Sequence, residues 1–184
     1  MIAVSPGTRD RILDALETLL LERGAAQMTL DNVAAAAGVS KGGLLYHFKS
    51  KDALLVGLVE RLGDRAGTQL AEMRANGTPV AEWYLQTPDP TTQADAVELA
   101  LYRSLLATMR TIDASAGTDP DEVQRALDGV MTAWSDGLDD EVDDPVRADT
   151  IRLVGDGVYL RALLGLPQLE PARYRAVVDR LLER

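Results

Sequence analysis

Apolar residues recur at three- and four-residue spacing along almost the whole chain, and nowhere is there a sustained alternation of period two. The first spacing lines one face of an α-helix and the second one face of a strand, so the fold expected is all-α, with no sheet. Ile12, Leu13, Leu16, Leu19 and Leu20 make one such stripe between Thr8 and Arg23, and Gly24 follows as a terminator. Thr29 and Ser40 can cap two short helices ending near Gly38 and Phe48, and Ser50 a longer one reaching Asn76. Further stripes, set off by prolines and acidic caps, run around 80–86, 91–114, 120–138, 145–165 and from Pro171 onward. The total is about nine helices.

Side-chain inventory removes several kinds of chemistry. The 184 residues include no cysteine and one histidine, His47, which excludes a disulfide scaffold, a thiol nucleophile, and cysteine or multi-histidine metal centres. No Walker or Rossmann glycine loop is present, so the chain is read as a non-enzyme without cofactor or metal. The acidic run at 139–144 lacks the alternating ligands and central glycine of a calcium loop, and is read as a solvated loop whose Asp144 caps the next helix. No apolar stretch approaches the roughly 20 residues that span a bilayer. With no secretory signal visible either, the expectation is a cytoplasmic protein with no membrane association.

Charge is distributed unevenly. The formal net charge is −10, which by itself argues against a nucleic-acid partner, yet residues 1–51 carry +1 and residues 52–184 carry −11. A small basic module on an acidic body is compatible with DNA binding. Within that module, two short helices are joined by Ala37-Gly38-Val39, a glycine able to turn sharply and an apolar plug. The second helix opens with Ser40-Lys41-Gly42-Gly43, small and polar residues of the kind that can enter a major groove. Two adjacent helical glycines cost roughly 1 kcal/mol each relative to alanine, a cost that makes sense where something must come close. Leu44 and Phe48 would anchor this helix to the core, leaving Leu45, Tyr46 and His47 toward solvent.

Residues 8–58, with GVSKGGLLYHFKSKDALL at the centre, resemble the DNA-binding domain of the TetR family of transcriptional regulators. The resemblance implies that this helix reads a palindromic operator. It implies base contact or close approach from Ser40, Lys41, Gly42 and Gly43, and phosphate contacts from Tyr46, His47, Thr29 and Lys51. Lys41 is assigned to phosphates as well. Leu45 stands where the family more often has a tyrosine that touches DNA, and an apolar contact, for instance to a thymine methyl, would replace it.

The remainder is supported by its helical pattern alone. Trp83, Tyr102, Met109, Met131, Trp134 and Tyr159 are candidates for lining a cavity for a small, hydrophobic effector, with plain core packing as the alternative. The helix with Gly155, Gly157 and Gly165 is apolar most of the way round. TetR-family proteins dimerise through their last two long helices, which here implies an interface from Ile151, Val154, Gly155, Val158, Tyr174, Val177 and Leu181. The expected organisation is a helix-turn-helix domain at 1–51 and an effector-binding and dimerisation domain at 52–184. The expected function is a homodimeric regulator, a repressor released from double-stranded DNA by its effector. Two alternatives stay open: a regulator that takes no small molecule, and a small-molecule-binding protein or enzyme with an incidental helix-turn-helix.

Overall fold

The structure, a computed structural model, describes residues 7–89, 91–109 and 120–183. Among these there are nine α-helices and no strand: α1 (Thr8–Arg23), α2 (Leu30–Ala37), α3 (Lys41–His47), α4 (Lys51–Asn76), α5 (Val80–Tyr84), α6 (Gln93–Met109), α7 (Pro120–Asp139), α8 (Pro145–Leu163) and α9 (Pro171–Leu181). A single 3-10 turn, Ala25–Gln27, follows α1. Local chemistry starts and stops them as the sequence suggests. Thr29 Oγ1 accepts from Asn32 N at 3.2 Å, Ser40 Oγ from Gly43 N at 3.0 Å, Ser50 Oγ from Ala53 N at 3.0 Å and Asp144 Oδ1 from Val146 N at 3.0 Å. Each satisfies a backbone donor that the first helical turn leaves without a partner. The expected extension of α6 to residue 114 lies outside the described residues.

The chain divides into two compact units, 1–61 with 100–126, and 62–99 with 127–184. The first therefore reaches past the boundary expected at Lys51. Leu54, Leu55 and Leu58 are fully buried alongside Ile12, Leu13, Leu16, Met28 and Leu44, and full burial of such a side chain is worth about 1.5–3 kcal/mol. Polar ties reinforce this packing. The Arg61 guanidinium, only 13% exposed, bonds both Glu17 and Asp14 on α1, the latter at 2.7 Å. Burial alone would lower its pKa, but the bonds to Glu17 and Asp14 outweigh that and hold it above the ordinary arginine value. Ser104 Oγ on α6 donates to the Leu20 carbonyl at 3.0 Å.

In the second unit, Leu70, Val80, Ala81, Leu85, Leu138, Val142, Ala148 and Ile151 form one core cluster. Helix α5 lies tight against α8: a Cβ built on Gly155 would stand 2.3 Å from Tyr84 Cδ1 and 2.5 Å from the Tyr84 carbonyl oxygen. Glu141 accepts from both Val80 N and Ala81 N, serving the first turn of α5 from a distant part of the chain.

Candidate nucleic-acid interface

Helices α2 and α3 are set by a turn that only a few backbones allow. Gly38 has φ 65° and ψ 35°, the left-handed region that glycine enters without penalty. Val39 then bonds back to the Ala34 carbonyl at 3.0 Å, and its half-buried side chain plugs the turn. Leu44 (0% exposed) and Phe48 (3%) fix α3 to the core. Phe48 is seated against α4, where a Cβ on Gly57 would come within 2.6 Å of its Cε1. The Arg9 guanidinium lies 5.3 Å from the Phe48 ring centroid and bonds Glu60 Oε2 at 3.1 Å, so it caps the ring from outside.

With one side of α3 pinned, the other is turned to solvent. Lys41, Gly42, Leu45, Tyr46 and His47 are exposed, Tyr46 by 85%, and Gly43 is half-buried. The Tyr46 and His47 rings meet edge to face at 5.2 Å. Thr29 is exposed at the start of α2 and Lys51 half-buried at the start of α4. Gly42 bears directly on purpose. A Cβ there would find only Ser40 Oγ, at 4.0 Å, so nothing inside the protein requires a glycine. At Gly43 the same atom would come within 3.3 Å of Ser40 Oγ and crowd the cap, an internal reason for glycine. An open helix tip with a glycine that the fold does not need is suited to close approach by a rigid external surface. The structure also shows what spacing could not: Lys41 Nζ pairs with Asp31 Oδ2 at 3.0 Å across the turn.

Residues 12–58 match the description "bacterial regulatory proteins, tetR family", and residues 78–184 match the tetracyclin repressor-like C-terminal domain. The second match alone spans more than half of the chain. The chain belongs to the TetR family.

Over 79 residues this TetR-family chain is 39% identical to the transcriptional regulator AlkX of Mycobacterium tuberculosis, a match covering 42% of the chain and 37% of AlkX. Over 44 residues it is 48% identical to the transcriptional repressor BepR of Brucella suis biovar 1, covering 24% of the chain and 21% of BepR. The chain thus matches well under half the length of these relatives. Among solved structures, the multidrug binding protein EbrR complexed with ethidium is similar over 97% of this chain and 99% of EbrR, with 26% identity and a TM-score of 0.66. A regulator from Streptomyces coelicolor A3(2) shares the fold over 96% of this chain and 98% of its own, with a TM-score of 0.67 at 24% identity.

The other expected site residues of this TetR-family protein fall in several places. Trp83 and Trp134 come together as a stacked pair, ring centroids 3.8 Å apart and planes 11° from parallel. Tyr159 Oη donates to Glu98 Oε1 at 3.0 Å, Met131 is exposed, Tyr102 belongs to the first compact unit, and the Met109 side chain lies outside the described residues. A cavity of about 410 Å³ in the second unit has Glu82, Glu141, Asp144, Arg147 and Leu182 in its wall and none of the six candidates. Tyr84 donates to Asp156 Oδ1 at 2.9 Å, and burial with this bond pushes its hydroxyl well above the ordinary tyrosine range. Among the described residues, no group of three or more acids or histidines is placed to hold a metal, and no helix is long and apolar enough to cross a membrane.

The residues expected at a dimer face lie on α8 and α9. Ile151, Gly155 and Val158 are buried in the chain's own core, and Val154 and Leu181 pack on it. Tyr174 and Val177 are half-buried, and Tyr174 Oη donates to the Leu85 carbonyl at 2.6 Å. What α8 presents outward is Val146 (71% exposed), Leu153 (73%), Leu160 (51%) and, just past its end, Leu164 (61%). A Cβ at the exposed Gly157 would meet nothing within 4 Å.

Proposed function

We propose that this chain is a homodimeric, ligand-responsive transcriptional regulator, a repressor that leaves a palindromic operator when an effector binds. Gly42 carries this reading: a glycine in the exposed first turn of α3, with only Ser40 Oγ near its missing side chain, is explained by DNA coming close. The α2-turn-α3 geometry supports α3 as the groove-entering helix. Ser40, Lys41, Gly42, Gly43 and Leu45 then face base edges, while Tyr46, His47, Lys51 and Thr29 hold phosphates. Two copies place their α3 helices roughly 34–36 Å apart, one turn of DNA. The α8 face with Val146, Leu153, Leu160 and Leu164 is the surface best suited to pair them, since so much exposed leucine on one face invites burial.

Effector and dimer functions are assigned to the portion beyond the head, and the site of action is the cytoplasm, where bacterial DNA lies. The acidity of residues 52–184 favours a hydrophobic compound that also carries positive charge. The similarity to EbrR complexed with ethidium, and to a Saccharomonospora viridis regulator in complex with choline, supports that choice. Release requires the effector to bind the DNA-incompetent arrangement more tightly than the operator-bound one. The test is a shift assay on the duplex flanking the coding region, with and without tetraphenylphosphonium, a hydrophobic cation. A retarded band that outcompetes random DNA and disappears with the cation is expected. Absence of any sequence preference would overturn the DNA-binding reading, and a band indifferent to the cation would overturn the effector class.

A further inference from the structure

Helix α2 carries one charged residue, Asp31, and α3 one lysine, Lys41. Both sit in the first turn of their helices, and they are bonded to each other across the turn, Nζ to Oδ2 at 3.0 Å. The side chains are 69% and 55% exposed, and an ion pair so open to water adds little to stability. Nor does the motif depend on it. Thr29 and Ser40 cap the two helices, Gly38 makes the turn, and Val33, Ala34 and Leu44 anchor the pair to the core. The bridge instead decides where an ammonium group sits at the tip of the helix that meets DNA.

Lysine has a long flexible stem and three donors, and a free one turns to the nearest phosphate on any sequence. Bonded to Asp31, Lys41 has its long-range attraction cancelled by the adjacent carboxylate but keeps two N–H donors. Those can still bond an acceptor brought into contact, such as guanine O6 or N7. We propose that Asp31 is a specificity-determining positioning residue: it keeps Lys41 from phosphates and so reserves the ammonium for base edges of the operator. This rests on α3 being the DNA-reading helix, as proposed above.

The test uses the full-length protein with a duplex that it has selected from a randomised pool, and a scrambled duplex of equal length. Affinities are followed by fluorescence anisotropy from about 50 to about 300 mM salt, the range over which counterion release is read. Asp31→Asn is expected to tighten binding to the scrambled duplex while leaving the selected one nearly unchanged. The ratio of the two affinities then falls about three- to tenfold. The logarithmic salt slope on scrambled DNA steepens by about 0.9 for each Lys41 released to a phosphate. Asp31→Glu, which still reaches Lys41, restores both. In a Lys41→Ala background Asp31→Asn leaves the slope where it was.

Equal gains on both duplexes would overturn the proposal. So would an effect of the same size without Lys41, because Asp31 would then act by bare repulsion of DNA. An unchanged ratio and slope in a selective wild-type protein overturns the proposal alone, whereas failure of the selection to enrich any sequence overturns the DNA-binding reading beneath it.

Discussion

Alanine at position 42 separates what the fold wants from what the interface wants. In the free protein, Gly42→Ala removes backbone freedom from the unfolded chain and adds a methyl into open space, its nearest neighbour Ser40 Oγ at 4.0 Å. Helix propensity then predicts a gain of about 0.5–1 kcal/mol. For a chain of this size that raises Tm by roughly 1–4 °C. Against DNA the same methyl stands where the groove wall should be. Overpacking of a tight contact costs about 1–3 kcal/mol, so a loss near tenfold is expected for each α3, and about a hundredfold for a dimer using two. Calorimetry gives the first quantity and anisotropy with a selected duplex the second. Gly43→Ala is the internal comparison: its Cβ, 3.3 Å from Ser40 Oγ, disturbs the cap and forfeits part of the stability gain. A Gly42→Ala protein that melts higher and binds the operator unchanged would refute the reasoning, because the first turn of α3 would not be approaching the duplex.

Leu153→Asp should produce monomers in light scattering that no longer bind the operator, while Gly155→Ala should lower stability by about 1–3 kcal/mol through its clash with Tyr84 and leave the oligomeric state alone; the reverse pattern would place the interface on the Gly155 side of α8. Arg61→Met removes the guanidinium that bonds the mostly buried Glu17 carboxylate and should cost about 2 kcal/mol, between the values for exposed and fully buried pairs, as read by urea denaturation. Glu170 accepts from Ala172 N and Arg173 N, bonds that hold its carboxyl below the usual range. A depressed folded-state pKa means that its support of α9 is complete above the unfolded value, about 4.3, and is lost as pH falls through the lower folded one. Amide exchange along α9 should accelerate over that acid range in wild type and not in Glu170→Gln; parallel acid profiles would exclude the cap as the cause.

Where structure is local, the sequence was a sufficient guide. Thr29, Ser40 and Asp144 cap the helices they precede, Gly38 takes the left-handed turn, and Leu44 and Phe48 bury, because each outcome depends on neighbours within a few positions. Helix α8 was legible as a helix but not as to which face is inside. Ile151, Gly155 and Val158 on one side and Leu153, Gly157 and Leu160 on the other are equally apolar, so periodicity gives no preference. The choice is made by Tyr84, brought from α5 to occupy the notch at Gly155. Which effector candidates meet was not legible for a related reason. Only long-range folding puts Trp83 beside Trp134 and leaves Tyr102 in a different compact unit. The Asp31–Lys41 bond joins residues ten positions apart across a turn, and no helical spacing rule reaches that far.

The Trp83–Trp134 stack is also an optical instrument. These are the chain's only two indoles, and both lie in the second compact unit, nearly parallel at 3.8 Å. Rings so disposed share their excited states, giving a split circular-dichroism band whose sign and amplitude follow their mutual angle. Helices α2 and α3 contribute no indole to that band, so a change in the split signal when duplex is added records a response within the second compact unit, without a label.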